Sequence, residues 1–445
     1  MVDLILRNGL VHVYSESEKK IKIHALDVAV TQGTISHLGD LSGLKSKTTK
    51  NLNGLHVLPG VIDSQVHFRE PGLTHKEDLE SGTRAAVFGG VTAVFEMPNT
   101  TPSTTTREAL EWKAQRARET AHCHWGFYVG ASPENIGNLQ ELEKISYVPG
   151  IKVFMGSSTG SLLIDDLEIL KRVLSQSRGP IAVHAEDEAR LRERKDIVQN
   201  SKSVLDHPVW RDEESALRAT EKLIYWAEYF QRRVHVLHVT TEEEMRLLKQ
   251  KKSFCTVEVT PQHLTLAAPD CYERLGTFAQ MNPPIRSLRH QISLWKAIED
   301  GTVDVLGSDH APHTREEKSG QYPATPSGMT GVQTLVPVML HHVNQNRLRF
   351  ERFTELVTEN PRRIFGIEKK GRIEVGYDGD FTIVDLNREW TIEDSWIQSK
   401  SQWTPFSGMK VRGKVHSTIL KGIVVMEDDQ LVEKNLGQAL SFSKW

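Results

Sequence analysis

Residues 61–68 read Val61-Ile-Asp-Ser-Gln-Val-His-Phe68, a short apolar run that carries Asp63, Gln65 and His67 at alternate positions. Apolar segments of similar length return at 91–97, 124–130, 151–155, 181–184, 234–239, 254–259 and 303–308. Between them lie stretches with helical spacing of apolar residues, at 77–88, 107–119, 165–174, 213–230, 242–251 and 288–299. Short continuous apolar runs are the mark of parallel strands buried on both faces. Eight β-then-α units over roughly 300 residues match an α/β fold of the (β/α)8 TIM-barrel kind, whose usual size is ~250 residues. A doubly wound open sheet shares the alternation, but eight units favour closure.

The outer parts of the chain read differently. Strand-like segments at 4–6, 12–14, 25–30 and 34–38 are separated by Asn8-Gly9, Gln32-Gly33 and Gly39-Asp40 turn signals. The same character returns at 381–385, 411–415 and 417–425. We therefore expect residues 1–57 and 366–445 to build one small β-sandwich beside a barrel at 58–365. Two separate small modules are the alternative.

The chain has 445 residues, 38% hydrophobic and 25% charged, with 31 glycines, an ordinary globular composition that argues against disorder. A formal net charge of −3 gives no reason to expect a nucleic-acid or anionic-membrane partner. Cys123, Cys255 and Cys271 show no CxxC spacing and cannot form a disulfide framework, so a reducing compartment is expected. No apolar run reaches the ~18–20 residues that span a bilayer. The opening Met-Val-Asp-Leu-Ile-Leu-Arg lacks a signal-peptide pattern, and a cytoplasmic protein is expected. Charge clusters at 192–202 and 242–244 read as solvated helix faces.

Against this plain background stand 19 histidines. In a barrel, reactive groups project from the C-terminal ends of the strands. Those ends carry Asp63, Gln65, His67, Asn99, Lys152, His184, His238, His263, and Asp309-His-Ala-Pro-His313. Imidazole and carboxylate are the donors expected for Zn²⁺, with Mn²⁺, Co²⁺ or Fe²⁺ as other divalent choices. Two such ions ~3.5–4 Å apart can polarise a carbonyl and activate water near neutral pH. Asp309, beside them, would take the proton of the attacking water and pass it to the leaving group.

Several motifs then become recognisable. Pro59-Gly-Val-Ile-Asp63, His67-Phe-Arg-Glu-Pro-Gly72, Met97-Pro-Asn-Thr100, Lys152-Val-Phe-Met155, Val183-His-Ala-Glu186, Leu237-His-Val-Thr240 and Ser308-Asp-His-Ala-Pro-His313 resemble the dihydroorotases of the amidohydrolase superfamily. The resemblance runs from about residue 4 to 430. It implies interconversion of N-carbamoyl-L-aspartate and (S)-dihydroorotate plus water, a step of pyrimidine biosynthesis, by an enzyme expected to be a homodimer or higher homo-oligomer. The generic superfamily signal also admits hydantoinases and allantoinases. His-Phe-Arg-Glu-Pro-Gly with Met-Pro-Asn-Thr is more particular to dihydroorotases.

The resemblance also implies roles. Lys152 resembles the lysine that takes up CO₂ as a carbamate bridging two metals. His184 and His238 resemble ligands of one ion, and His67 and Asp309 ligands of the other. Gln65 departs from the Asp-x-His-x-His pattern by standing in the first histidine's place. Strand alternation still puts it on the face of His67, where an amide is a weaker ligand, leaving that ion loosely held, bound through water or absent. Arg69, Asn99 and His313 resemble contacts to the substrate carboxylate, for which arginine offers two parallel hydrogen bonds.

Asn282 would hydrogen-bond the ring amide, and His263 stands as a supporting group. Thr159 or Ser158, in Gly156-Ser-Ser-Thr-Gly160, would cover the substrate from a loop that can equally be a simple turn. A catalytically silent chain partnering aspartate transcarbamoylase is a third reading, favoured only by Gln65.

Overall fold

Five strands precede the barrel: β1 (Val2–Ser15), β2 (Lys20–Thr31), β3 (Thr34–Gly39), β4 (Ser46–Asn51) and β5 (His56–Pro59). The computed structural model describes residues 1–157 and 162–443. Segments 4–6 and 12–14, expected as two strands, are one. At Asn8 the backbone takes φ 56° and the pairing with β2 slips between Leu6 and Gly9. The Asn8-Gly9 signal therefore marks a bulge rather than a turn. β1 is paired antiparallel to β2 and parallel to β4 and β5, so its ladder continues across the irregularity.

Nine strands follow that build the barrel wall: β6 (Val61–Val66), β7 (Val91–Glu96), β8 (His124–Phe127), β9 (Val129–Gly130), β10 (Ile151–Phe154), β11 (Ile181–His184), β12 (Val234–Val236), β13 (Cys255–Val259) and β14 (Val305–Leu306). β8 and β9 are two halves of the single segment expected at 124–130. All eight expected segments are present, all pairings among them are parallel, and every strand residue is buried. The ladder closes where Val66 bridges His310 and the Ser308 amide donates to Asp63 Oδ1 at 3.0 Å.

Helices return each strand to the next, among them Leu79–Phe88, Arg107–Thr120, Leu167–Gln176, Glu213–Tyr229, Glu242–Gln250 and Leu288–Glu299. Their starts are set locally, because Asp78, Thr106, Asp166, Asp212 and Thr241 each cap free amides of the first turn. This corrects the reading of 242–244 as a solvated face. Glu244 is buried, completes the capping box with Thr241 and accepts from Thr220 Oγ1 at 2.8 Å.

After the barrel, β15 (Phe381–Thr391), β16 (Lys410–Leu420), β17 (Ile423–Glu427) and β18 (Gln430–Leu431) join the N-terminal strands. The segment expected at 417–425 is split by the Lys421-Gly422 turn, and its first part continues the strand begun at 410. The order is β18-β17-β16-β15-β5-β1-β2-β3, with β4 on β1. β5 pairs antiparallel with β15, so both chain ends share one sheet rather than forming separate modules. Leu6, Val11, Val28 and Val57 from one end pack with Phe381, Ile383 and Ile419 from the other. The chain's last described residues run back to the barrel, where Leu440 and Phe442 pack with Phe95 and Phe365.

Candidate active site

At the C-terminal mouth of the barrel lies a small cavity lined by nine of the residues singled out in the sequence: Gln65, His67, Arg69, Asn99, Lys152, His184, His238, Asn282 and Asp309. Three of them bend out of their strands in left-handed backbone, with φ 64° at Arg69, 36° at His238 and 44° at Asp309. Non-glycine residues held there cost of order 1–3 kcal/mol each and concentrate at functional sites. The turn aims each side chain across the mouth instead of along the wall.

Lys152, on β10, is 1% exposed, and its Nζ has no hydrogen-bond partner. Burial pulls its pKa down to about 7 against the opposing pull of Asp309 and Glu258. On one side of it, His184 Nδ1 and His238 Nε2 face each other at 3.1 Å. That spacing is close to the ~3.3 Å edge of a tetrahedron with metal–nitrogen bonds of ~2.0–2.1 Å. His184 Nε2 meets Glu186 Oε2 at 2.9 Å, and Arg211 clamps that carboxylate. Burial opposes ionisation of Glu186, but Arg211 and His184 outweigh it and hold the carboxyl far below its ordinary range. The Nε2 proton therefore sits toward Glu186, which leaves the Nδ1 lone pair on the cavity side.

On the other side, His67 Nδ1 lies 2.6 Å from Asn99 Oδ1, so Nδ1 donates and Nε2 carries the lone pair. That Nε2 is 3.2 Å from Asp309 Oδ1, and burial holds the imidazole below its ordinary pKa. A lone pair facing a carboxylate oxygen is repulsive unless a cation lies between them. Gln65 Nε2 donates to Asp309 Oδ1 at 2.9 Å, while its Oε1 is buried without a partner. Among the described residues no group of three or more His, Cys, Asp or Glu forms a metal cluster alone. The donors fall into two pairs, and Lys152 stands between them. Unpartnered Nζ and Oε1 atoms, paired imidazoles and a lone-pair-to-carboxylate contact fit a divalent metal here.

Arg69 is 1% exposed and has no carboxylate in ion-pair contact among the described residues. Its Nε donates to Pro312 O at 3.2 Å, Nη2 lies 3.3 Å from His313 Nε2, and Nη1 is buried without a partner. Burial draws its pKa to about 10 against the opposing pull of Asp309, Glu96, Glu317 and Glu77, and a buried cation with no direct ion-pair partner suits an anion in the cavity. His313, expected against the substrate, stands one layer out. It contacts Lys76 Nζ at 3.1 Å and Ser327 O at 3.1 Å, and burial drops its pKa to about 3. Asn282 faces the cavity and is held by His207 Nε2 at 3.1 Å. His263 bonds Thr260 Oγ1 and Pro283 O and supports the turn that carries Asn282. Thr159 and Ser158 lie outside the described residues.

Sequence reading gave no role to three residues that shape the site. Asp63 accepts from the Gln65 and Ser308 amides, tying the Gln65 strand to the Asp309 loop, and burial pushes its pKa up to about 7. Glu186 ends the Val183-His-Ala-Glu186 motif, two residues past His184. Arg211 has no local signal at all, since it reaches Glu186 only in the folded chain.

A closed (β/α)8 barrel with metal donors and a buried anion handle at its C-terminal mouth defines a class: metal-dependent hydrolases of cyclic amides. The comparisons agree. The model of the Amidohydrolase family matches residues 56–425, and the chain belongs to that family. It is similar to the dihydroorotase of Methanosarcina acetivorans, at 33% identity over 100% of this chain and 96% of that protein. Six further dihydroorotases match at 30–36% identity over 84–98% of the chain. The allantoinase of Deinococcus radiodurans is 32% identical over 99% of this chain and 98% of its own length. Among solved structures, the L-hydantoinase of Arthrobacter aurescens superposes with a TM-score of 0.93, at 28% identity over 99% of this chain and 100% of that one. Among the described residues no helix is long and apolar enough to cross a membrane.

Proposed function

We propose that this chain is a dihydroorotase, interconverting N-carbamoyl-L-aspartate and (S)-dihydroorotate plus water. The observation that carries the reading is Arg69, a buried guanidinium with an unpartnered Nη1 on the cavity that holds the metal donors. Dihydroorotate brings a ring amide and a carboxylate on one small molecule, and only the carboxylate answers Arg69. Hydantoin and allantoin need not carry that anion.

In this proposal His184 and His238 would hold one Zn²⁺, and His67, Asp309 and more weakly Gln65 would hold a second. Lys152, as a carbamate, would supply an anionic oxygen donor between the two pairs. Its depressed pKa favours the neutral amine, whose lone pair adds to the carbon of CO₂ as a proton leaves Nζ. A cation thereby becomes an anionic oxygen donor. When bound, the metal would polarise the amide carbonyl and acidify water. Arg69 and Asn99 grip the carboxylate, with His313 backing the guanidinium, and Asn282 meets the ring amide. In hydrolysis Asp309 takes the proton of the attacking water and delivers it to the ring nitrogen as the C–N bond breaks. Ring closure reverses these steps, with Asp309 drawing a proton from the ureido nitrogen.

We further place the enzyme in the cytoplasm as a homodimer or larger homo-oligomer, with the barrel at 58–365 flanked by 1–57 and 366–445. Sedimentation would read the assembly state. The decisive assay compares turnover of dihydroorotate, hydantoin and allantoin by purified protein and by Arg69→Lys. Dihydroorotate should be the preferred substrate, with KM raised on the order of 30-fold or more in the variant, as for a buried charge pair losing ~2 kcal/mol or more. Preference for hydantoin or allantoin, unaffected by Arg69→Lys, would hand the site to that chemistry. Substoichiometric metal with no turnover of any of the three would mark a silent subunit.

A further inference from the structure

The other mouth of the barrel holds a second cavity, of about 190 Å³, between the starts of β11, β12 and β13 and the helix Glu359–Phe365. Four arginines line it, Arg178, Arg232, Arg233 and Arg363, and no carboxylate does. In a chain whose formal net charge is −3, that is a local concentration of one sign. Among the described residues none of the four lies in an ion pair, whereas Arg362, next to Arg363 in sequence, pairs with Glu359 at 2.7 Å. Glu143, whose charge acts on Arg232, accepts from the backbone amides of Arg178 and Gly179 at 2.8 and 3.1 Å.

Arg232 is the anchor of the group. It is half-buried, its Nη2 donates to Gly179 O at 2.9 Å, and its Nε is buried without a partner. Arg178, Arg233 and Arg363 are exposed around it, and among the described residues their forks show no hydrogen bond or ion pair. The floor is made of His235 and Thr256, whose Nδ1 and Oγ1 lie 2.8 Å apart, and behind it His235 Nε2 faces Glu258 Oε2 at 3.3 Å. Guanidinium forks match phosphate oxygens two at a time. Whole small-molecule pockets usually measure ~300–1,000 Å³, so this one suits a compact charged group and not an entire nucleotide.

We propose that the N-terminal mouth of the barrel binds a compact polyanion of the diphosphate type, either free or as the phosphate tail of a nucleotide whose remainder lies outside the cavity. The site is separate from the catalytic mouth, so this inference does not depend on the substrate reading above.

Isothermal titration of the intact protein with inorganic pyrophosphate, at fixed ionic strength, tests it. Saturable one-site binding is expected, weakened about tenfold or more in Arg232→Gln/Arg363→Gln, as loss of charge-assisted contacts implies. Unliganded Tm and dihydroorotate turnover should stay unchanged. If that variant is destabilised, Arg178→Gln/Arg363→Gln, which alters exposed side chains only, should weaken binding in the same direction. A nucleoside triphosphate titrated in parallel separates the two sources. Tighter binding than pyrophosphate assigns a nucleotide tail, and equal or weaker binding assigns the free ion. No saturable binding, or binding undiminished in both variants, overturns the proposal.

Discussion

The two halves of the catalytic mouth are built alike and backed differently. His184 and His238 rest on a charged support, because Glu186 holds His184 and is itself clamped by Arg211, all of them buried. His67 and Asp309 rest on amides, with Asn99 on the imidazole and Gln65 on the carboxylate. An anionic partner fixes a tautomer and also raises the basicity of the ring. A neutral amide fixes orientation alone. The contrast teaches that geometry is equally prepared on both sides, while the affinity for a cation is not.

The largest effect should come from the weaker half. Asp309→Asn should cut kcat by on the order of 10²–10⁴ while metal analysis still finds the ion of the His184 side. Loss of all metal in that variant would break the contrast. Lys152→Ala removes the group shared by both halves, worth several kcal/mol of transition-state stabilisation, and should lower activity on the order of 10³-fold with less metal bound. Carbamate formation also gives a pH signature. Below a pKa of about 7 Lys152 is an ammonium without a lone pair, so recovery of chelated enzyme by bicarbonate and metal should fall as pH drops through 7. Recovery that is flat across that window would remove the carbamate.

Smaller changes sharpen the comparison. Glu186→Gln turns the charged support into an amide and should weaken metal binding roughly 10–100-fold, bringing the strong half toward the weak one in a competitive chelator titration. The mildest change, Gln65→His, replaces the amide with the imidazole usual at that place. Metal titration should then give a second equivalent bound more tightly than in the parent chain. An unchanged stoichiometry would mean that Gln65 does not limit that side.

Much of this was legible in the residues, for identifiable reasons. Each barrel strand is a short, mostly apolar run buried along its whole length, so its reading needs no distant partner, and all eight were found where expected. Five of the six named helix starts were also local, since each depends on a side chain two or three residues from the amides it caps. The terminal sheet was harder. Asn8-Gly9 looks the same in a turn and in a bulge, and pairing of β1 on both edges decides between them. His313 shows the same limit, for its motif position did not reveal that Arg69 stands between it and the cavity.

By itself, then, the chain's order of residues determined the alternation of strand and helix, the eight-unit count and which candidate donors stand at the strand ends. These follow from periodicity and side-chain chemistry, which act over a few residues. Only the tertiary structure decided that Lys152 and Arg69 are buried without an ion-pair partner among the described residues, that Arg211 backs Glu186, and that four arginines meet at the far mouth. Charge, burial and solvation depend on what packs around a group. In a closed barrel those neighbours come from strands tens or hundreds of residues apart.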